Sequence, residues 1–352
     1  MMTAYIEELK RKGRAAKEAS RVLARLSTEV KNRALLNVAE ALLNREEEIL
    51  AANKEDLKGA QRNGLSEALL DRLYLNPQRL EAMAQEVRNI AALPDPVGET
   101  FDMRTLPNGL QVSKRRVPLG VIGAIYESRP NVTVDISTLC FKAGNAVILR
   151  GGKEALGSNK ALARVVREAV GRAGAPEEAI QFVESTDRSL VNHMLKMRDV
   201  IDLMVPRGGE ELIRFVMENA SMPVVAGGIG VCHTYVDRAA DLDKAVAIAY
   251  NAKVQRPTVC NALDTLLVHA DIAEEFLPRI AQKWAGAGVE MRCDDRVMAI
   301  LKPIDGLPIV SASKGDWGKE FLSLVAAVKV VDSSREALAH IERYGSGHSE
   351  AI

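Results

Sequence analysis

Cys260 is the residue whose type and position suggest the most chemistry. It lies in the stretch NAKVQRPTVCNALDTLLVH, between a predicted helix and a predicted strand, with Lys253 and Arg256 shortly before it. Nearby positive charge and helix termini lower the pKa of a thiol, and the thiolate is the nucleophilic form. A free cysteine is also commonly a small buried apolar residue. The local sequence therefore leaves a catalytic role and a buried role open for Cys260.

Gly208 and Gly209 form a turn that could bind phosphate. They follow an apolar stretch ending in VPR and precede the predicted helix EELIRFVM. Backbone amides at such a turn can approach a phosphate at the positive end of a helix. The full GxGxxG fingerprint of dinucleotide-binding domains is absent, so the signal is incomplete.

A second candidate turn is Gly151-Gly152-Lys153. It follows the stretch AVILR and precedes a predicted helix with Ser158 and Asn159 near its start. Lys153 either holds a ribose or phosphate oxygen of a cofactor or is a solvated turn lysine. Ser158 would bring a hydroxyl group to the same place.

Asn131 follows the apolar stretch 121–127, directly behind Pro130. Its side chain either caps the helix that follows or donates its amide to an oxyanion. The five histidines lack the spacing of metal ligands, so no metal site is predicted.

The segments that must position these residues show two different patterns of apolar residues. Residues 4–92 have the apolar periodicity of helices. From about residue 117, short apolar stretches alternate with single helices, which indicates a doubly wound parallel sheet. The predicted strands are 121–127, 146–150, 179–183, 200–206 and 224–230. Such sheets bind ligands at the carboxyl ends of their strands, and we expect Cys260 at such an edge.

A second α/β pattern follows, with predicted strands at 265–269 and 326–332. We therefore predict a dinucleotide-binding domain over residues 1–232, which includes the N-terminal helices. Within it, residues 101–118 are predicted to leave the domain and take part in oligomerisation. A catalytic domain carrying the cysteine is predicted over residues 233–352. Because the sequence stops where a further strand is due to begin, we expect this domain to be truncated at its C-terminus.

Composition narrows the class of protein. Forty-seven basic residues balance 47 acidic ones, so net charge gives no reason to expect nucleic acid or an anionic membrane as a partner. The four cysteines contain no CxxC pair, which is typical of reduced thiols. The N-terminus lacks the apolar segment of a secretory signal, and we expect a cytoplasmic protein.

Taken together, these stretches resemble the aldehyde dehydrogenase superfamily, and within it the family of γ-glutamyl phosphate reductases. The resemblance covers nearly the whole chain. The segments that carry it are NGLSEALLDRL, RRVPLGVIGAIYESRPNVTVD, FKAGNAVILRGGKEA, VPRGGEELI, GGIGVCHTYVD, NAKVQRPTVCNALDTLLVH and EFLSL.

The resemblance implies roles for individual residues. Cys260 matches the nucleophile, and Asn131 matches the asparagine that forms the oxyanion hole with the backbone N–H of the cysteine. Lys153 matches a lysine that contacts the adenosine ribose, and Glu320 in EFLSL matches the glutamate that holds the nicotinamide ribose. The other expected cofactor contacts are Ser158, Gly208 and Gly209. Substrate contacts are expected, on charge and placement only, at Arg129, Arg207 and Arg256.

One departure from the superfamily distinguishes the possible reactions. Hydrolytic aldehyde dehydrogenases carry a water-activating glutamate where this chain has VVAGGIGVC, which contains no acid. Acyl-phosphate reductases exchange their thioester with phosphate and need no such base. The resemblance thus implies NADPH-dependent reduction of L-glutamyl 5-phosphate to L-glutamate 5-semialdehyde in proline biosynthesis. The implied partners are a second copy of the chain and, by channelling, glutamate 5-kinase.

The sequence leaves two alternatives open. The first is an NAD-linked aldehyde dehydrogenase of other specificity. The second is a truncated nucleotide-binding module without catalysis.

Overall fold

The structure is a computed structural model, and it describes residues 2–227 and 230–352. The chain divides into one compact unit that ends at Gly227 and another that begins at Gly228. The sequence places a functional boundary between residues 232 and 233, and the roles assigned there to the two domains stay predictions. Over the described residues, no helix combines the length and apolar character needed to cross a membrane.

The N-terminal part of the first unit is helical, as the periodicity of residues 4–92 predicts. The side chain of Ser27 accepts the N–H of Val30 at 3.3 Å at the start of the second helix. Asn76 and Pro77 open the fifth helix in the same capping pattern. The helices are α1 (Met2–Leu23), α2 (Thr28–Asn44), α3 (Glu46–Arg62), α4 (Glu67–Leu73) and α5 (Pro77–Ala92).

An antiparallel hairpin follows the helices. Its strands are β1 (Thr100–Thr105) and β2 (Gln111–Arg115), and they pair with an irregularity between Phe101 and Arg104. Almost every residue of the hairpin is exposed. The hairpin lies within the segment 101–118 for which the sequence predicts an oligomerisation role.

A parallel sheet forms the centre of the first unit. Its strands are β3 (Val121–Tyr126), β4 (Ala146–Arg150), β5 (Ile180–Phe182) and β6 (Leu203–Arg207), in the order β5-β4-β3-β6. All neighbouring pairs are parallel, and β3 is buried along its whole length. The connecting helices are α6 (Asn131–Lys142), α7 (Leu156–Arg172), α8 (Ser189–Met194) and α9 (Glu210–Asn219). The carboxyl ends of β4, β3 and β6 are neighbours, so the segments that leave them meet at one edge.

The predicted strand over 224–230 is wrong for its described residues. Val224 forms an isolated parallel bridge with Met204, and the chain is irregular from residue 225 to Gly227. Gly228 and Ile229 lie outside the described residues. The stretch contains three glycines, and glycine weakens a strand because it costs backbone entropy and offers no side chain to pack.

The second unit also has a parallel sheet, in the order β10-β9-β11-β8-β7-β12. Its strands are β7 (Cys232–Val236), β8 (Leu263–His269), β9 (Glu290–Cys293), β10 (Ile309–Ser311), β11 (Val325–Val331) and β12 (Glu350–Ala351). The helices are α10 (Leu242–Val254), α11 (Ala270–Gly286), α12 (Asp295–Leu301) and α13 (Ser334–Tyr344). This confirms the predicted α/β class for the second half of the chain.

Candidate active site

Cys260 lies in a tight turn of the second unit, after α10 and before β8. The N–H of Val259 donates to the carbonyl of Arg256 at 3.2 Å, and the N–H of Ala262 donates to the carbonyl of Val259 at 3.1 Å. The cysteine is exposed. Because the turn leads into β8, Cys260 lies at the amino end of that strand. The expectation of a carboxyl-edge position for Cys260 is therefore wrong.

The four cysteines all lie in the described residues, and Cys260 alone among them is exposed. Cys232 and Cys293 are buried, and Cys140 is partly buried. Burial raises the pKa of each of these three thiols to about 12. They therefore remain protonated near neutral pH, and Cys260 is the cysteine that a substrate can reach.

The Cys260 turn packs against the chain that enters β7. The thiol of Cys232 donates to the carbonyl oxygen of Cys260 at 3.2 Å. A Cβ atom added to Gly230 would overlap that carbonyl oxygen and would lie 3.0 Å from the Cα of Cys260. Position 230 therefore needs glycine, since backbone atoms cannot yield as a flexible side chain can.

We expect Gly230→Ala to lower kcat by about 10²-fold, because even a small displacement of the nucleophile spoils its alignment. The same overlap should lower the free energy of unfolding by about 1–3 kcal/mol, so kcat is measured at a temperature where the variant is still folded. The control is Gly286→Ala at the end of α11, where an added Cβ meets nothing within 4 Å. A wild-type kcat in Gly230→Ala would show that the Cys260 turn tolerates the added methyl group. The close approach of Gly230 to Cys260 would then have no role in catalysis.

Lys253 does not face the thiol, which corrects the expectation that its charge lies beside Cys260. Its ammonium group is fully buried, donates to the carbonyl of Leu263 at 2.7 Å and lies 3.8 Å from a carboxylate oxygen of Asp264. Burial lowers the pKa of Lys253 to about 8 and raises the pKa of Asp264 to about 6. Arg256 is exposed in the same turn as Cys260.

Glu320 precedes β11 and is partly exposed. The N–H of the next residue, Phe321, donates to Asp264 at 3.0 Å. Cys232, Cys260 and Glu320 thus each lie at or before the first residue of a strand, namely β7, β8 and β11, which are neighbours in the sheet. The amino ends of these strands form the candidate nucleophile site of the second unit.

The candidate cofactor residues gather at the carboxyl edge of the sheet in the first unit. Lys153 is exposed directly after β4. The neighbouring carboxylate of Glu154 accepts the N–H of Ser128 at 2.8 Å and its hydroxyl at 2.6 Å. These bonds join the segment after β3 to the Lys153 turn. Ser128 has a φ of +34°, an uncommon conformation for a residue other than glycine.

Gly208 and Gly209 lie between β6 and α9, as the sequence predicts. The N–H of Gly209 donates to the carboxylate of Glu127 at 2.9 Å. A Cβ on Gly208 would lie 2.5 Å from the same carboxylate oxygen. The single N–H of Gly209 is thus occupied by an anionic side-chain oxygen, and a phosphate oxygen would bind it only in place of the Glu127 carboxylate.

Asn131 begins α6 but does not cap it, because no side-chain hydrogen bond closes the N-terminus of that helix. Its amide instead donates to the carboxylate of Asp135 at 2.9 Å. An amide nitrogen carries two N–H donors, so this bond uses one and fixes the direction of the other. Burial raises the pKa of Asp135 to about 6, and the bond from Asn131 opposes that rise.

Ser158 has a structural position. It is fully buried, its hydroxyl donates to Asp56 at 2.6 Å, and it accepts the amide of Asn53 at 3.0 Å. These contacts join α7 to α3, and the geometry gives no support to a cofactor contact at Ser158. Arg129 and Arg207 are both exposed at the carboxyl edge, after β3 and at the end of β6.

Several residues that shape the two sites are not predicted from the sequence. Glu127 and Glu154 stand beside the expected motifs, but nothing in the sequence shows that their carboxylates bridge the strand-end segments. Asp264 carried a usable signal, since an acid in the apolar stretch LDTLLVH must find a partner if the strand is buried. Within residues 2–227 and 230–352, no group of three or more histidines, cysteines and acids could hold a metal ion.

Comparison with known proteins identifies the class. The model of the aldehyde dehydrogenase family matches residues 2–299, and the chain belongs to that family. The acetylating aldehyde dehydrogenase of Geobacillus thermoglucosidasius has the same fold, with a TM-score of 0.66 at 19% identity over 99% of this chain and 81% of that one. Membership of the family implies a nicotinamide cofactor and a small-molecule substrate.

Particular relatives are much more similar. The chain is 60% identical to the gamma-glutamyl phosphate reductase of Dehalococcoides mccartyi strain CBDB1 over 345 residues, which are 98% of this chain and 81% of that protein. The crystal structure of gamma-glutamyl phosphate reductase from Thermotoga maritima has a TM-score of 0.92 and 45% identity, covering 98% of this chain and 82% of that one. The resemblance and the fold class predicted from the sequence are thereby confirmed.

Proposed function

We propose that this protein reduces L-glutamyl 5-phosphate to L-glutamate 5-semialdehyde with NADPH, releasing phosphate, as a step of proline biosynthesis. The observation that carries the proposal is the exposed Cys260, held in a tight turn of a chain that is 60% identical to a gamma-glutamyl phosphate reductase. The acid-free sequence VVAGGIGVC supports transfer of the acyl group to phosphate rather than to water.

Cys260 starts the reaction as a thiolate. Its sulfur attacks the carbonyl carbon of the acyl phosphate, and the π electrons of the carbonyl move to its oxygen. Asn131 donates an amide N–H to this oxyanion. The oxyanion then collapses, the C–O bond to phosphate breaks, and the acyl group remains on Cys260 as a thioester.

The residues at the carboxyl edge of the first sheet suit the cofactor. Lys153 would hold a ribose oxygen, and Glu320 of the second unit would hold the nicotinamide ribose. The N–H of Gly209 would meet a phosphate oxygen once that oxygen displaces the carboxylate of Glu127. When bound, NADPH supplies the hydride that reduces the thioester carbonyl. The sulfur of Cys260 then leaves as a thiolate, and the aldehyde product is released.

The exposed arginines supply charge for the anionic substrate. Arg129 and Arg207 in the first unit and Arg256 in the Cys260 turn are proposed to meet its phosphate and carboxylate groups. A guanidinium group binds either anion with two parallel hydrogen bonds, which also fixes its orientation.

We also propose partners for the chain. The β1-β2 hairpin and its flanks expose several large apolar side chains, which would suit contact with a second copy of the chain. They are Phe101, Met103, Val117 and Leu119. Acyl phosphates hydrolyse readily in water, so direct transfer from glutamate 5-kinase would protect the substrate.

The reverse reaction tests the proposal. Oxidation of glutamate 5-semialdehyde by NADP+ should need inorganic phosphate for steady turnover, because phosphate is the acyl acceptor. The assay follows NADPH absorbance with and without phosphate, and repeats it with NAD+ to measure cofactor preference. Equal steady rates without phosphate would instead indicate hydrolysis of the acyl-enzyme and would overturn the proposal.

A further inference from the structure

We propose that the buried pair of Asp264 and Lys253 is a positioning device that holds the Cys260 turn and the Glu320 segment together. The inference rests on the proposed function, because it takes Cys260 as the nucleophile and Glu320 as a cofactor contact. Neither Asp264 nor Lys253 reaches solvent, since their side chains are 3% and 0% exposed. Both therefore act through other residues.

The first connection leads to the nucleophile. Asp264 accepts the N–H of Cys232 at 3.4 Å, at the first residue of β7. The thiol of Cys232 in turn donates to the carbonyl oxygen of Cys260. Since Asp264 lies in β8, just after the turn itself, its carboxylate ties the start of β7 to the segment that carries the nucleophile.

The second connection leads to Glu320. The other carboxylate oxygen of Asp264 accepts the N–H of Phe321 at 3.0 Å. The next residue, Leu322, has a φ of +50°, which a leucine adopts only under constraint from its surroundings. The bond to Asp264 supplies such a constraint one residue away. The Nζ atom of Lys253 also lies 5.9 Å from the centre of the Phe321 ring.

Stability alone does not explain this arrangement. Burying two charges is costly, and an apolar pair of similar volume is often as stable as a buried ion pair or more so. Apolar side chains, however, cannot accept two backbone N–H groups from separate segments. The carboxylate of Asp264 does so, and Lys253 keeps it charged while it donates to the carbonyl of Leu263.

The test compares three variants with the wild-type protein. Asp264→Asn removes the charge and keeps at most one of the two backbone bonds, because its single oxygen can accept but its amide nitrogen cannot. The double variant Lys253→Met/Asp264→Leu removes both charges and restores an apolar core. Asp294→Asn is the control, because Asp294 also accepts two backbone N–H groups, from Val297 and Val330, but follows β9 at the opposite edge of the same sheet.

We expect Asp264→Asn to lower kcat by about 10²-fold and to raise the Kd for NADP+ about tenfold, since both site segments shift. The double variant should recover the thermal midpoint lost in Asp264→Asn but not its kcat. Asp294→Asn should lose stability while kcat stays within about twofold of wild type, as for a residue remote from the chemistry. Recovery of both stability and kcat in the double variant would reduce the pair to a structural role and overturn the inference.

The titration with NADP+ separates this inference from the proposed function, because it needs no substrate. If wild-type protein showed no phosphate-dependent turnover, the proposed function would fail. A higher Kd for NADP+ in Asp264→Asn, together with an unchanged Kd in Asp294→Asn, would then still support the positioning of the Glu320 segment. An unchanged Kd would count against the inference whatever the wild-type activity.

Discussion

Replacing Cys260 with alanine should lower the rate of glutamyl phosphate reduction by roughly 10⁴-fold to 10⁶-fold, the range seen when a covalent nucleophile is removed. Without the thiolate no thioester forms, and hydride has no acceptor other than the acyl phosphate itself. Cys260→Ser should be nearly as inactive, because a serine hydroxyl without an adjacent base is not ionised near neutral pH. Both rates are measured by NADPH oxidation.

The binding of NADPH provides the second readout for these variants. The proposed contacts to its ribose and phosphate oxygens do not involve the thiol, so fluorescence titration should give a nearly unchanged Kd. The control is Cys140→Ala, which removes a half-buried thiol of α6 and should retain activity. Substantial activity in Cys260→Ala would contradict the assignment of the nucleophile.

Replacing Asn131 with alanine should lower kcat by about 10²-fold to 10³-fold, the usual cost of losing one oxyanion donor. The KM for substrate should change far less, because the oxyanion exists only after attack. The bond from Asn131 to Asp135 orients the amide, so Asp135→Asn should cause a smaller loss of kcat. The measurement is steady-state kinetics of all three proteins.

A structural origin of this effect can be separated from a catalytic one. Asn37→Ala is the control. The side-chain amide of Asn37 also donates a hydrogen bond within the same unit, to the carbonyl of Ala169 in α7, away from the strand ends. If Asp135→Asn lost as much activity as Asn131→Ala, the effect would act through Asp135. If Asn131→Ala kept its kcat, the oxyanion role would be excluded.

The sequence predicts some strands well because their burial is uniform. β3 and β4 are continuous apolar stretches bounded by turn residues, and their predicted positions differ from the structure by at most a residue at one end. β7 and β9, with the sequences CHTYV and EMRC, were missed because polar and charged residues interrupt the apolar pattern. Pairing with neighbouring strands, which periodicity cannot reveal, stabilises them.

The residues of the candidate site were predictable only where the residue type and its immediate neighbours in sequence indicate a chemical role. Cys260 and the Gly208-Gly209 turn were found from residue type and local context. The position of Lys253 was predicted wrongly, because proximity in sequence suggested a charge beside the thiol while the fold buries it against Asp264. The bridges made by Glu127 and Glu154 join strand-end segments that only the sheet order brings together.

The acyl-enzyme on Cys260 is the most direct test of the central claim. Wild-type protein is mixed with glutamate 5-semialdehyde and NADP+ in the absence of phosphate, and NADPH formation is followed together with the intact protein mass. The prediction is a single burst of NADPH with one glutamyl group attached to the Cys260 peptide, followed by release of that group when phosphate is added. A steady phosphate-independent rate, or an adduct on another residue, would contradict it.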